Sequence, residues 1–275
     1  MNDVVVAMAD RICTDDGPVA STRPYWRQLI AMGKKAAPAV AVLSEGLRDP
    51  AAASRILQGG HAYFGRLLKN NPSDRAVERL STVMSAHPDL MNSAAVALGY
   101  SGSPKAVDTL IARLKAGSRE SPNRLHPVIN ALGRLGDARA IEPLRALGVS
   151  GPVLSALVAI DADAARDTAL QALDSTAAAE RAAAIDHLRR WDVVPKLPDE
   201  RRAALMERFF VMTRQEEDPA VIRRLGWLLL EAVREWHLAD ARRVEKAFRA
   251  MRGRVRRAPV TGWVDDWLGK LRKKP

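Results

Sequence analysis

The chain has 275 residues, 47% of them apolar and 27% charged, a composition that fits a folded protein and excludes a disordered or collagen-like one. Aromatic residues make up only 5%, so the core must be aliphatic and alanine-rich, and the single cysteine, Cys13, excludes an intramolecular disulfide and points to a reducing, cytoplasmic setting. The net charge is +11, but residues 241–275 hold twelve Lys/Arg against three Asp/Glu while residues 1–240 hold 31 against 29, so the excess sits at one end.

In chain order, the periodicity predicts a first helix over 2–13 and a loop at Thr14-Asp15-Asp16-Gly17-Pro18. Residues 1–12 lack the basic start and long apolar stretch of a signal peptide, and no stretch approaches the roughly 18 apolar residues of a membrane span, so no membrane partner is expected. Further helices are predicted over 23–32, 36–47, 50–69, 73–86, 89–100, 103–116, 122–135, 138–148, 151–160, 162–173 and 176–191. Four more follow at 198–213, 218–236, 238–257 and 260–273. No segment alternates with period two, so no sheet is expected. The one break in style is "WDVVPKLPDE", 191–200, where two prolines interrupt helix formation. It suggests a soft division into 1–196 and 197–275, continuous rather than independent.

The middle of the chain repeats itself. Arg139-Ala140-Ile141-Glu142-Pro143-Leu144 returns as Lys105-Ala106-Val107-Asp108-Thr109-Leu110 and as Arg75-Ala76-Val77-Glu78-Arg79-Leu80. The pattern is basic, Ala, β-branched, acidic, any residue, Leu. Two copies are preceded by Ala97-Leu98-Gly99-x-x-Gly102 and Ala131-Leu132-Gly133-x-x-Gly136, and a degenerate copy spans 156–173. Each slot has a physical reading. Leu98 and Leu132 close a buried face, the glycines permit the left-handed geometry that ends a helix, and Ser103-Pro104 or Asp137 opens the next. Ala106 and Ala140 are small where helices cross, and Leu110 and Leu144 return to the core. Neither helix of a pair is long enough to be stable alone, so each pair must lean on its neighbours.

These motifs resemble the HEAT-like repeat family, particularly the short repeats of phycobilisome lyases: "LGRLGDARAIEPL" is close to that family's usual form. The resemblance covers 97–147 well, extends over 70–190, and is suggested again by "MGKKAAPAVAVL" and "EDPAVIRRLGWLLLEAV". It implies an all-α fold, a right-handed α-solenoid of about seven or eight stacked antiparallel helix pairs. It is almost silent on chemistry, because such repeats serve scaffolds, adaptors, lyases and a class of DNA glycosylases.

No local catalytic or metal-binding motif is present. The five histidines, His61, His87, His126, His187 and His237, are not at metal-ligand spacing, and there is no phosphate-binding glycine loop, GxSxG or HExxH. Gly59-Gly60-His61 reads as a kink or a close helix contact. No catalytic residue, cofactor or metal is therefore expected.

The helix over 242–257 has a narrow apolar stripe of Val244, Phe248, Met251 and Val255. Arg242, Arg243, Lys246, Arg249, Arg252, Arg254, Arg256 and Arg257 fill the remaining arc. All of these except Arg254 are the candidate anion contacts, with nucleic acid as the alternative partner through 241–275. The last helix carries Trp263, Val264, Trp267, Leu268 and Leu271 at helical spacing and reads as a terminal cap or an interfacial anchor. Trp227, Trp236 and Trp191-Asp192 supply the residue types with which HEAT-like glycosylases line a cleft, but "LGWLLLEAV" reads first as core. The expectation that follows is a non-enzymatic scaffold holding a protein partner on its concave surface. Its contacts would be Arg124, Arg134, Arg189, Arg190, Arg223 and Arg224, on the second helices of the pairs. Nucleic-acid binding, with base excision as one form of it, and a lyase-type chaperone remain as other readings.

Overall fold

The computed structural model describes residues 2–17, 19–117, 122–190, 193–255 and 259–272. All the regular structure among them is helical. The helices are α1 (Asn2–Thr14), α2 (Val19–Ala31), α3 (Ala37–Gly46), α4 (Pro50–Leu57), α5 (His61–Asn70), α6 (Asp74–Ala86), α7 (Met91–Ser101), α8 (Pro104–Ala116) and α9 (Pro122–Leu135). They continue as α10 (Ile141–Arg145), α11 (Gly151–Ile160), α12 (Ala162–Ala172), α13 (Ala178–Arg190), α14 (Val193–Lys196), α15 (Asp199–Gln215), α16 (Pro219–Arg234), α17 (Ala241–Arg254) and α18 (Val260–Arg272). Short 3-10 turns, Gly33–Ala36 and Ala138–Ala140, lead into α3 and α10. No described helix is long and apolar enough to cross a membrane.

The helix ends follow from side-chain chemistry. Asp49, Ser73, Asp137, Asp218 and Asp240 each accept a hydrogen bond from a first-turn backbone N–H, satisfying donors that have no partner inside the helix. Gly102 and Gly136 sit at φ +66° and +69°, the left-handed geometry their place in the repeat calls for. Three details differ from the sequence expectation. The segment 50–69 is two helices, broken at Gly59 with φ +84°. The segment 138–148 is a 3-10 turn and a short helix. The stretch expected to be free of helix holds α14, where Pro195 lies in the first turn and its missing N–H has no intrahelical bond to lose.

The chain forms two compact units, residues 1–147 with 155–162 and residues 148–154 with 163–275. Residue 196, the suggested soft division, lies inside the second.

Unit 1 is a stack of helix pairs in two layers. α3 packs on α1 and α6, and α6 on α8, forming a layer of first helices. α5 packs on α2 and α7, and α7 on α9, forming a layer of second helices. The slots read from the repeat are filled as expected: Ala76, Ala106, Ala140, Leu80, Leu110 and Leu144 are fully buried. The charged slots link consecutive repeats. Arg75 pairs with Glu45, Lys105 Nζ lies 2.6 Å from Glu78 Oε1, and Arg139 Nη1 lies 2.6 Å from Asp108 Oδ1. The basic residue opening one repeat thus meets the acidic residue of the repeat before it. These pairs are exposed and add little stability, but they fix register.

Unit 2 sets α13, α16 and α18 side by side, with α15 packed on α17. Its core is more aromatic, built around Phe209, Phe210, Phe248 and Trp267, and the Phe248 and Trp267 ring centroids are 5.3 Å apart. The stripe on α18 packs inward through Val264, Trp267 and Leu268, with Trp267 1% exposed.

Candidate binding cleft

The second helices share a local device. In Phe64-Gly65-Arg66, Leu98-Gly99-Tyr100, Leu132-Gly133-Arg134 and Leu225-Gly226-Trp227, an apolar residue points into the core and a glycine permits a close helix crossing. A Cβ at Gly99 would lie 2.7 Å from Ala131 Cα, one at Gly133 would lie 2.9 Å from Ala156 Cα, and one at Gly226 would strike the Trp267 ring. The residue after each glycine is turned away from the core. Arg66, Arg134 and Trp227 are exposed and Tyr100 is partly so.

In unit 2 this device places Trp227, 38% exposed, in a cleft of about 560 Å³. α13 contributes Asp186 and Arg189, α16 contributes Arg223, Arg224, Trp227 and Glu231, and α18 contributes Trp263, Asp266 and Trp267. Lys270 Nζ stands 4.2 Å from the Trp227 ring centroid, and the Arg223 guanidinium lies 5.8 Å from that of Trp263. Arg224 Nε donates to Asp186 at 2.5 Å, Arg189 Nη1 to Glu231 at 2.6 Å, and Lys270 Nζ to Asp266 at 2.6 Å. The Arg189 Nε is buried without a hydrogen-bond partner among the described residues. Four cations thus face three carboxylates around two partly accessible indoles. The arrangement is suited to recognition, with aromatic anchors and orienting charges.

The structure sorts the expected partner contacts. Arg189, Arg223 and Arg224 converge on this cleft, with Arg189 and Arg224 already committed to carboxylates, while Arg190 is exposed at the end of α13. Arg134 and Arg124 are exposed on α9 in unit 1. Arg134 stacks on Tyr100 at 4.3 Å, and Arg124 borders a separate hollow of about 760 Å³ with Met84, Met91 and Arg113. The apolar neighbours Leu228, Leu229 and Leu230 make Trp227 read as core in the sequence, but it is exposed. The signal that places it outside is its position one residue after the crossing glycine. Trp236 is half-buried against the unit 2 core, and Trp191 and Asp192 lie outside the described residues.

The basic helix α17 buries Val244, Phe248 and Met251 as its stripe requires. Its cationic arc is largely paired. Arg243 forms a two-pronged contact with Glu207, both distances 2.5 Å, and lies 4.0 Å from the Phe210 ring centroid. Arg249 pairs with Glu245, Arg252 with Asp265, and Arg254 donates to the Thr213 and Glu216 carbonyls. Arg242 and Lys246 are exposed, and Arg256 and Arg257 lie outside the described residues. Net charge along the chain overstated this surface because Glu207 and Asp265 reach it from other helices.

Among the described residues no three of His, Cys, Asp and Glu are grouped to hold a metal ion. Burial lowers the pKa of His187, and burial, reinforced by Asp10, pushes the Cys13 thiol up to about 11. At pH 8 the thiolate fraction is then on the order of a hundredfold smaller than for an exposed cysteine of pKa ~8.5. The native protein is expected to react with a disulfide reagent about a hundredfold more slowly than the urea-unfolded chain. Equal rates would show Cys13 to be freely accessible.

Residues 73–154 match the model of the HEAT repeats family. No curated protein matches the sequence. Among solved structures, human deoxyhypusine hydroxylase in complex with glycerol aligns over 98% of this chain and 96% of that one, at 16% identity and a TM-score of 0.37. A computationally designed self-assembling cyclic homooligomer aligns over 98% and 89%, at 16% identity and a TM-score of 0.17. At these scores neither likeness bears on function.

Proposed function

We propose that this HEAT-repeat-containing protein is an adaptor that docks another protein in the unit 2 cleft, with Trp227 as the anchor. The observation that carries the reading is an exposed tryptophan on α16 framed by Arg223 of the same helix and by Lys270 and Trp263 of the adjacent α18. Tryptophan and arginine dominate the energetics of protein interfaces, most strongly in pockets that exclude water. The mixed charge of the cleft favours a polypeptide, which offers both signs, over a phosphate backbone, which Asp186, Glu231 and Asp266 would repel.

The test is capture from nuclease-treated host lysate with wild-type protein and with Trp227→Ala. A protein retained by the wild type should bind the variant about 30-fold more weakly, the loss of a typical interface anchor worth ~2 kcal/mol. A partner indifferent to Trp227→Ala, or one that disappears with nuclease, would remove the reading.

A further inference from the structure

The two layers of unit 1 divide its charges unequally. First helices α1, α3, α6, α8 and α10 carry Asp3, Asp10, Glu45, Asp74, Glu78, Asp108 and Glu142, and the repeat-to-repeat pairs draw on Glu45, Glu78 and Asp108. Second helices α2, α5, α7, α9 and α11 carry no carboxylate at all. Four of these, α2, α5, α7 and α9, lie side by side, and besides Arg124, which borders the hollow with Met84 and Met91, they present Arg23, Arg27, Arg66, Lys69 and Arg134, all exposed. None of the five forms an ion pair with a described residue. Arg23 and Arg27 are one turn apart, as are Arg66 and Lys69, so the layer keeps like charges close with nothing opposite them.

From this segregation we infer that the second-helix layer of unit 1 is a docking surface for the phosphate backbone of double-stranded nucleic acid. Four helices at 8–10 Å spacing span roughly 24–30 Å, close to one turn of a duplex at ~34 Å. Arginine outnumbers lysine four to one, which suits two-pronged contact with phosphate. A single strand would need open aromatic platforms. Tyr100 instead has guanidinium groups from both flanking helices over its ring, Arg66 at 5.4 Å and Arg134 at 4.3 Å, and Tyr63 stacks on Trp26. An acidic protein would want an apolar anchor, and the large apolar side chains exposed among the described residues, Val4, Val211 and Trp227, lie on other helices. Contacts made to phosphates carry no sequence information, so on this inference the binding is independent of sequence.

The full chain is titrated onto a fluorescent DNA duplex of about 24 base pairs. With five phosphate contacts, affinity should fall about 500-fold between 50 and 200 mM salt. Arg66→Ala/Arg134→Ala should bind more weakly throughout and lose only about 40-fold over that range, as should Arg23→Ala/Arg27→Ala, at unchanged helicity and melting temperature. Duplexes of different sequence should bind alike, and Trp227→Ala should leave the curve unmoved, which separates this surface from the unit 2 cleft. The inference fails if there is no binding at 50 mM salt, or if folded variants keep the wild-type salt slope. It fails equally if polyglutamate displaces the duplex at equal charge, which would assign the layer to an acidic protein.

Discussion

Valine in place of Gly99 is expected to lower the unfolding free energy by about 3 kcal/mol, the upper end of what overpacking a tight crossing costs. A Cβ there would meet Ala131 Cα at 2.7 Å, Cβ at 2.8 Å and the carbonyl oxygen at 3.3 Å. Two of those three atoms are backbone, so a change of rotamer cannot relieve the contact, and α7 must separate from α9. Separation would loosen the buried contacts of Leu98 and Leu132 on the same two helices. Alanine at this site should cost less, about 1–2 kcal/mol, because its better helix propensity returns up to ~1 kcal/mol. Gly269 on α18 is the control. A Cβ there meets nothing within 4 Å, so Gly269→Ala should raise stability by about 0.5–1 kcal/mol. Urea midpoints for the three variants check the set. A destabilisation by Gly99→Val no larger than a few tenths of a kcal/mol would mean the crossing is looser than described.

The second large effect is expected in unit 2. Glu216 Oε2 accepts from Arg181 Nε at 2.9 Å, and Oε1 accepts from Arg181 Nη2 at 2.9 Å and from the backbone N–H groups of Asp218 and Glu217. Arg181 also donates to the Ser175 and Thr176 carbonyls. The two side chains are 6% and 18% exposed, so removing either leaves its partner charged, largely buried and unmatched. Arg181→Ala is expected to cost about 3 kcal/mol, measured by chemical denaturation. Burial alone would push the Glu216 carboxyl up, but Arg181 and the two backbone donors outweigh it and hold it below its ordinary value. The folded state therefore keeps Glu216 ionised at a pH where the unfolded chain has already bound a proton. Its contribution is complete above the unfolded value of ~4.3 and is lost as pH falls through the lower folded value. Wild type should accordingly lose more stability between pH 6 and pH 3 than Glu216→Gln does. Parallel pH profiles would exclude the carboxylate as the source.

What the sequence made legible was whatever repeats. Leu110, Leu144, Ala106 and Ala140 recur because each repeat solves the same packing problem, so their burial could be read from self-similarity alone. Gly102 and Gly136 announced their turns in the same way. Features that depend on a single meeting in space were not legible. The break at Gly59 looked like a kink inside one helix because both sides keep helical periodicity. The arc of α17 reads as almost wholly cationic along the chain, and only the fold brings Glu207 and Asp265 to it from α15 and α18. Trp227 stands in an apolar run that reads as core, although it follows a crossing glycine just as Arg66, Tyr100 and Arg134 do.

The ladder that joins Arg75 to Glu45, Lys105 to Glu78 and Arg139 to Asp108 makes unit 1 modular in length. The Lys105–Glu78 and Arg139–Asp108 junctions use the same two slots of the repeat and are chemically the same joint, whereas Arg75 reaches Glu45 at the far end of α3. Excising one whole repeat between equivalent residues would bring Arg139 to the place of Lys105, facing Glu78, and the joint would close again. A cut of any other length would set base against base or strand a charge. Duplication or loss of a whole repeat thus keeps both the buried slots and the charge pairing in step, and the extent of the carboxylate-free layer can change in steps of one helix.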